Sequence, residues 1–275
     1  MIVSELFTRL LLATEHSLFD SGAEAVALAM AHRCGLALPA VFPLVSNPEF
    51  EALAPHIAAK SEQDAALKIA ELRLQAVSMG VSVEIQVRRG EELYQEIVQE
   101  AIARASELII LRRRGKRSFL ANLLLGEMVS KVVAHAPCHV LIVPRGGQFW
   151  TQRILVAAEN TAQGRRICQT AMALASQCQL PLHLLTVVAA DVLQEAAQPL
   201  HNQIQEMARN AGVVLETEIR IGKPFAEILA TSERTTSDLI MMGCRDDTHL
   251  GRALVGGVAQ KVLGLSEHPV LVLHS

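Results

Sequence analysis

The sequence predicts an α/β protein of two tandem, pseudo-twofold-related domains, each a five-stranded parallel sheet with helices on both faces. Apolar strand-like runs alternate with segments of helical apolar spacing, which is typical of parallel sheets joined by right-handed crossovers. The pattern occurs twice, since RLLLATEHS (9–17) is repeated 144 positions later by RILVAAENT (153–161). The short glycine-bearing stretch RGGQFWTQ (145–152) lies between the copies. We therefore predict domains at 1–146 and 151–275.

Composition limits the classes of protein to which the chain can belong. Of its 275 residues 51% are apolar, but no apolar run approaches the roughly 18 residues of a membrane span. The first residues, MIVSELFTRLLLATEH, carry acids and lack a small-residue cleavage site, so we interpret them as the first strand and not as a signal peptide. A net charge of −3 and 3% aromatic residues disfavour binding to nucleic acid or a membrane surface. The five cysteines lack metal-ligand spacing, so we expect reduced thiols, no metal and a cytoplasmic location.

The elements between the first strands and the final loops also recur in pairs. We predict second strands at 36–45 and 180–188, helices at 60–79 and 191–211, third strands at 81–90 and 213–222, and helices at 91–106 and 224–236. Gly80 and Gly212 follow the longer helices, where left-handed C-caps are expected. The first copy has additional residues, most simply those at 46–60.

Each copy ends in a strand, a loop, a helix and a final strand, at 107–143 and 238–273. A loop that leads from the carboxyl end of a strand to a helix N-terminus offers free backbone N–H groups and a helix dipole to an anion. Ligands of such sheets bind at this edge. The sequence therefore offers a candidate anion site in each copy, and the residues of each loop decide whether it still holds a phosphate. The final strands, His139–Pro144 and Val270–Leu273, are apolar edges that we expect to pair the two domains.

Four stretches carry a resemblance to a known family: ILVAAENT, PFAEILATSERTTSDLIMMG, LVGGVAQKVLGLSEHPVLVL and LLLGEMVSKVVAHAPCHVLIV. Through them, nearly all of both halves resembles a tandem member of the universal stress protein family. The resemblance implies Rossmann-like domains of the adenine nucleotide alpha hydrolase type, no general catalytic activity, and dimerisation through the last strand. In nucleotide-binding members, an aspartate ends the first strand and a later loop reads G-x2-G-x9-G-(S/T).

The second domain keeps part of that loop motif. Gly243 and Gly256 stand at the first and third glycines, whereas Asp246 replaces the second glycine and Gly257 replaces the hydroxyl residue. The charge of Asp246 would oppose a phosphate by about 1 kcal/mol. The resemblance implies a site for ATP or another adenine nucleotide at Ala158, Glu159, Val187, Met242, Gly243, Asp246, Gly256, Gly257 and Val258.

The first domain has lost most of the loop motif, since an ionised glutamate at the hydroxyl position accepts hydrogen bonds but donates none to a phosphate. Nucleotide binding is therefore not expected in the first domain. Its matching residues are Thr14 and Glu15 at the end of the first strand, and Arg113, Lys116, Gly126 and Glu127 in the loop. Arg113 and Lys116 stand at the first two glycine positions, Gly126 at the third, and Glu127 at the hydroxyl position. The basic run at 112–117 either binds a phosphate or an acidic partner, or is a solvated loop.

These residues favour a stress-response protein that binds a small ligand in domain 2, a protein partner, or both, without catalysis. Two alternatives stay open. A nucleotide hydrolase would need a base and metal ligands, for which Asp246, Asp247 and His249 are the candidates. A purely structural partner-binding module would have both pockets closed by side chains. No catalytic or metal residue is assigned, membrane insertion is not expected, and assembly into a homodimer is left open.

Overall fold

The structure of the protein is a computed structural model that describes residues 6–47, 52–53, 55–113, 126–244 and 255–274. The first half contains, in chain order, β1 (Leu10–Ala13), α1 (Ser21–Cys34), β2 (Leu38–Val45), α2 (Pro55–Ser78), β3 (Val83–Gly90), α3 (Leu93–Ala103), β4 (Leu108–Arg112), α4 (Glu127–His135) and β5 (His139–Val143). The second half contains β6 (Ile154–Ala157), α5 (Ala162–Cys178), β7 (Leu182–Val188), α6 (Gln194–Ala211), β8 (Leu215–Ile221), α7 (Pro224–Arg234), β9 (Leu239–Gly243), α8 (Gly257–Leu265) and β10 (Val270–Leu273), with a 3₁₀ turn at Asp191–Leu193.

All ten of these strands form one sheet, in the order β3-β2-β1-β4-β5-β10-β9-β6-β7-β8. Every neighbouring pair within a half is parallel, which confirms the predicted fold class of two tandem five-stranded units. The two halves meet where β5 and β10 pair in antiparallel fashion, with Leu141 opposite Leu271. The apolar final strands thus cover each other, as the sequence predicts.

Two layers of helices cover the sheet, and each layer encloses one apolar core that is continuous through both halves. One core packs α1, α2, α5 and α6 against the sheet, with Val26, Ala76, Leu174 and Ile204 among its buried residues. The other packs α3, α4, α7 and α8 against the opposite face. Within the described part of the chain, no helix is long and apolar enough to cross a membrane.

The helix boundaries follow local signals where the sequence provides them. Gly80 and Gly212 adopt the left-handed φ values of 69° and 66° that were predicted for C-caps. Pro224 opens α7, where its fixed φ suits a first helical turn. The predicted start of α2 at residue 60 is wrong, because the helix already runs from Pro55 and reaches 24 residues, against 18 in α6. Part of the additional segment at 46–60 therefore lengthens this helix.

Candidate functional site

A cavity of about 500 Å³ opens at the carboxyl ends of β6 and β9 in the second half. Its volume lies within the range of roughly 300–1,000 Å³ that is common for small-molecule sites. The cavity is bounded by the end of β6, the N-terminal turns of α5, α7 and α8, and side chains of β7 and β9. The sheet therefore places it at the edge where ligands of parallel α/β sheets bind.

Eight of the nine residues predicted for this site line the cavity: Ala158, Glu159, Val187, Met242, Gly243, Gly256, Gly257 and Val258. The ninth, Asp246, lies outside the described residues, as do Asp247 and His249. The fold thus brings together residues that are about 100 positions apart in the sequence. Their role in binding stays a prediction.

The N-terminus of α5 supplies lining residues that the sequence analysis missed: Thr161, Ala162, Gln163, Gly164 and Ile167. The side chain of Thr161 caps the helix, because its Oγ1 accepts a hydrogen bond from the Gly164 N–H at 2.9 Å. A Cβ atom on residue 164 would lie 1.9 Å from the carbonyl oxygen of Glu159, so only glycine fits there. The Thr-x-x-Gly spacing at the start of a helical pattern was the available signal.

A chain of buried hydrogen bonds holds the end of β6 behind the cavity. The Thr186 hydroxyl donates to the carbonyl oxygen of Ala158 at 2.8 Å, and Nε2 of His201 lies 2.9 Å from the same hydroxyl oxygen. Because Thr186 uses its proton on Ala158, Nε2 of His201 must be the donor in that contact. Burial, with a smaller contribution from His183, lowers the pKa of His201 and favours the neutral ring.

The described lining carries little charge. Glu159 is its only ionisable side chain among the residues that the structure describes, and Gln163 donates through Nε2 to the carbonyl oxygen of Cys244 at 3.0 Å. The start of α8, at Gly257 and Val258, offers backbone N–H groups that have no partner within the helix. Such a helix start can accept an anion, while the apolar walls suit a flat ring.

Among the residues that the structure describes, the corresponding space in the first half is almost filled. The residual cavity there is only about 10 Å³, between the ends of β1 and β4. The Arg112 side chain fills it, with Nη1 donating to Asp20 Oδ2 and to Ser17 Oγ, both at 2.7 Å. Nη2 pairs with Glu15 at 3.0 Å. Arg112 and Asp20 are 4% and 1% exposed, so this ion pair lies inside the protein.

Thr14 belongs to a neighbouring cluster of polar side chains in the first half. Its hydroxyl donates to Glu24 Oε1 at 2.5 Å, and Nδ1 of His16 lies 3.0 Å from the same oxygen. Glu24 is buried on α1, whereas the equivalent position on α5 is Cys168. Burial raises the pKa of the Cys168 thiol to about 12, which disfavours the thiolate. The first half therefore uses Thr14 for internal structure.

The predicted position of Arg113 requires a correction. Leu111 and Met242 occupy equivalent places in the sheet, so Arg112 and Gly243, which follow them, are equivalent. The prediction that Arg113 takes the first glycine position is therefore wrong. Counting back from the third glycine fails because the loop of the first half is one residue longer.

The other residues predicted in the first half take structural places or are not described. Gly126 is the N-cap of α4, and Glu127 lies in its first turn, where Lys131 pairs with it at 3.0 Å. Lys116 and the rest of the basic run from residue 114 lie outside the described residues. Arg112 is buried, so the interpretation of the run as a solvated loop is wrong for this residue.

Arg113 makes a contact between the halves. Its Nη1 donates to the carbonyl oxygen of Ser266, the residue that ends α8, and Nη2 lies 4.0 Å from a carboxylate oxygen of Glu267. The side chain is 19% exposed. Burial lowers the pKa of the guanidinium and Glu267 opposes that effect, but an arginine stays charged at neutral pH.

Within the described residues, no three His, Cys, Asp or Glu side chains lie close enough together to hold a metal ion. Two histidines that lie four positions apart in the sequence, His135 and His139, contact the backbone instead of a shared site. Nδ1 of His135 lies 2.8 Å from the carbonyl oxygen of Lys131, and Nδ1 of His139 accepts from the His274 N–H at 3.1 Å. These histidines therefore serve local structure.

Comparison with known proteins gives two matches to one family. The profile of the universal stress protein family matches residues 6–144 and again residues 151–274. A universal stress protein of Synechocystis sp. is 27% identical over 165 residues, which is 60% of this chain and 57% of that protein. One from Methanocaldococcus jannaschii is 37% identical over 84 residues, which is 30% of this chain and 49% of that protein. The chain thus matches about half the length of these relatives.

Among solved structures, a universal stress protein from Archaeoglobus fulgidus superposes over almost the whole chain. The match covers 98% of this chain and 97% of that one, with a TM-score of 0.79 and 18% sequence identity. At this identity the likeness concerns the fold. It extends to the arrangement of both halves, because the superposition spans them together.

Proposed function

We propose that this chain, which belongs to the universal stress protein family, acts in the stress response by binding an adenine nucleotide in its second half, without catalysing a reaction. The observation that carries the proposal is the cavity of about 500 Å³ at the ends of β6 and β9. Its apolar walls, with Val187 and Met242, would hold the base. The glycines at the start of α8 would present backbone N–H groups to ribose and phosphate.

Glu159 would stand beside the ribose in this proposal. It lies just beyond the carboxyl end of β6, next to Ala158, and it is the one carboxylate among the described lining residues. A carboxylate accepts hydrogen bonds from ribose hydroxyls, whereas it repels phosphate. We therefore place the sugar at Glu159 and the phosphate where α8 begins.

The first half would serve as a closed structural partner of the binding half. Its pocket is filled by the buried pair of Arg112 with Asp20, so a nucleotide would have to displace a guanidinium from a carboxylate. Removing one partner of a buried pair is costly, which disfavours such exchange. One nucleotide per chain is the expected stoichiometry.

The test is a calorimetric titration of ATP, ADP and AMP into the protein after any co-purified ligand has been identified by mass spectrometry and removed. The Gly243→Arg variant would reproduce the strand end of the first half, and we expect it to weaken binding at least about 100-fold, which corresponds to about 2.7 kcal/mol. The control is Val214→Arg, which adds the same charge at an exposed residue directly before β8, away from the carboxyl ends of the strands where the cavity lies. This variant should bind like the unmodified protein.

The outcomes separate the alternatives. Binding of one equivalent that Gly243→Arg abolishes, with no nucleotide turnover, supports the proposal. Absence of both a co-purified ligand and any titratable heat contradicts it and favours a structural module. Release of phosphate by the unmodified protein, in parallel samples with and without Mg²⁺, would instead establish a hydrolase.

A further inference from the structure

Helix α8 begins at the cavity, and its C-terminal end contacts a residue of the first half. Gly256 and Gly257 line the cavity at the start of α8, and Ser266 ends the same helix with its N–H bonded to the Val262 carbonyl at 2.9 Å. The guanidinium of Arg113 donates to the carbonyl oxygen of Ser266. With nine residues, α8 is about 13 Å long, so the contact lies one short rigid element away from the cavity.

The contact is favourable on electrostatic grounds. A cation at a helix C-terminus complements the partial negative charge of the last carbonyl groups. A charge-assisted hydrogen bond is stronger than a neutral one, and the side chain of Arg113 is mostly removed from water. The backbone of Arg113 is also fixed, because its N–H donates to the Val143 carbonyl at the end of β5 at 2.7 Å.

The equivalent position of the second half carries a residue of different chemistry. The residue equivalent to Arg113 in the second half is Cys244, whose N–H makes the same kind of bond to the end of the last strand, at Leu273. A thiol cannot donate a charged hydrogen bond to the end of α4. The closed half therefore supports the helix of the open half through a cation, whereas the equivalent position of the open half carries a thiol.

We infer that Arg113 is a positioning residue for the ligand site: it holds α8 from the neighbouring half so that the first turn of that helix keeps its place at the cavity. This inference rests on the proposed function for its effect on affinity. Its effect on the order of α8 is independent of any ligand. The half that has lost its own pocket thus contributes to the pocket of its neighbour.

The experiment compares Arg113→Ala and Arg113→Lys with the unmodified protein. We expect Arg113→Ala to weaken binding of the tightest of AMP, ADP and ATP about five- to tenfold, at the lower end of the usual coupling between two sites. Amide hydrogen exchange at residues 260–263, whose N–H groups bond back to the N-cap and first turn of α8, should become faster in the unliganded variant. Arg113→Lys should restore both readouts to within about twofold, since an ammonium can still donate to the Ser266 carbonyl.

Arg89→Ala is the matched control. It removes the same charge from the first half at β3, where Arg89 pairs with the exposed Glu62, and it should change neither readout. If Arg113→Ala leaves affinity unchanged while the unmodified protein binds nucleotide, the inference fails, whatever happens to exchange. If the unmodified protein binds none of the three nucleotides, the proposed function fails, and unchanged exchange at 260–263 would then also overturn the positioning role.

Discussion

The ends of β4 and β9 occupy equivalent places in the two halves, yet one closes a pocket and the other opens one. Arg112 ends β4 and leaves a residual cavity of only about 10 Å³ there. Gly243 ends β9 beside a cavity of about 500 Å³. The facing helix differs in the same sense, with Asp20 in one half and Gly164 in the other. Two side chains that neutralise each other thus replace two glycines, so a pocket can close without leaving a buried charge unpaired.

A second difference lies behind the pocket. Thr186 and His201 hold the carbonyl of Ala158 in the second half, while Phe42 and Ile69 fill the equivalent positions in the first half. An apolar pair suffices where no cavity must be kept open. Where one remains, a hydrogen-bonded pair fixes the backbone that lines it, at the cost of burying polar groups that must all be satisfied.

The largest effect on stability is expected for Arg112→Met. This change leaves Asp20 buried without its cation, and we expect a loss of about 3–5 kcal/mol in the free energy of unfolding. Adding Asp20→Asn should recover part of the loss. Urea unfolding followed by circular dichroism and by Trp150, the chain's one tryptophan, measures both.

The control for that prediction is Arg9→Met, because the partner of Arg9 is the partly exposed Glu107. We expect a loss of less than about 1 kcal/mol there. If Arg112→Met loses no more than this control, the buried pair is not what maintains the closed half.

A smaller loss is expected for Gly164→Ala. The added Cβ would meet the backbone of Glu159 at 1.9 Å, so the turn before α5 has to move, at about 1–3 kcal/mol. Gly257→Ala is the matched control, since no atom lies within 4 Å of its added Cβ. If the two variants have equal urea unfolding midpoints, the turn at Gly164 adapts to the added Cβ without cost.

The smallest effect concerns the pH dependence of stability. Burial lowers the pKa of His201 in the folded state, so the unfolded state binds its proton first as the pH falls. Stability from this group is complete above the unfolded pKa of about 6.5 and declines below it, by at most about 1.4 kcal/mol per pH unit. His201→Ile, which copies the first half, should reduce that decline. An equal difference between variant and unmodified protein at pH 7 and pH 5 would refute this account.

Much of the fold could be predicted because its signals are local and repeated. Apolar runs, the caps at Gly80 and Gly212, and the apolar final strands each depend on a few neighbouring residues. The repeat then doubles the evidence for each element. The start of α2 was missed although its first residue, Pro55, is the same kind of signal as the Pro224 that opens α7.

The site was predictable where it follows the strand ends and not where it depends on side-chain direction. Met242 and Gly243 end a strand, so the sheet alone brings them to the cavity. The inward course of Arg112 depends on a register that loop counting misjudged by one residue. The bond from His201 to Thr186 joins an outer helix to an inner strand, and no local pattern in the sequence indicates it.

The antiparallel pairing of β5 with β10 has a consequence for how the halves can change. In an assembly of two identical chains, any substitution appears on both sides of the symmetry axis at once. Here the same interface joins two differently encoded units, so an arginine can enter one strand end while a glycine stays in the other. Covalent linkage also keeps the two units together at any dilution. A single chain can therefore carry two units whose strand ends differ, as they do at Arg112 and Gly243.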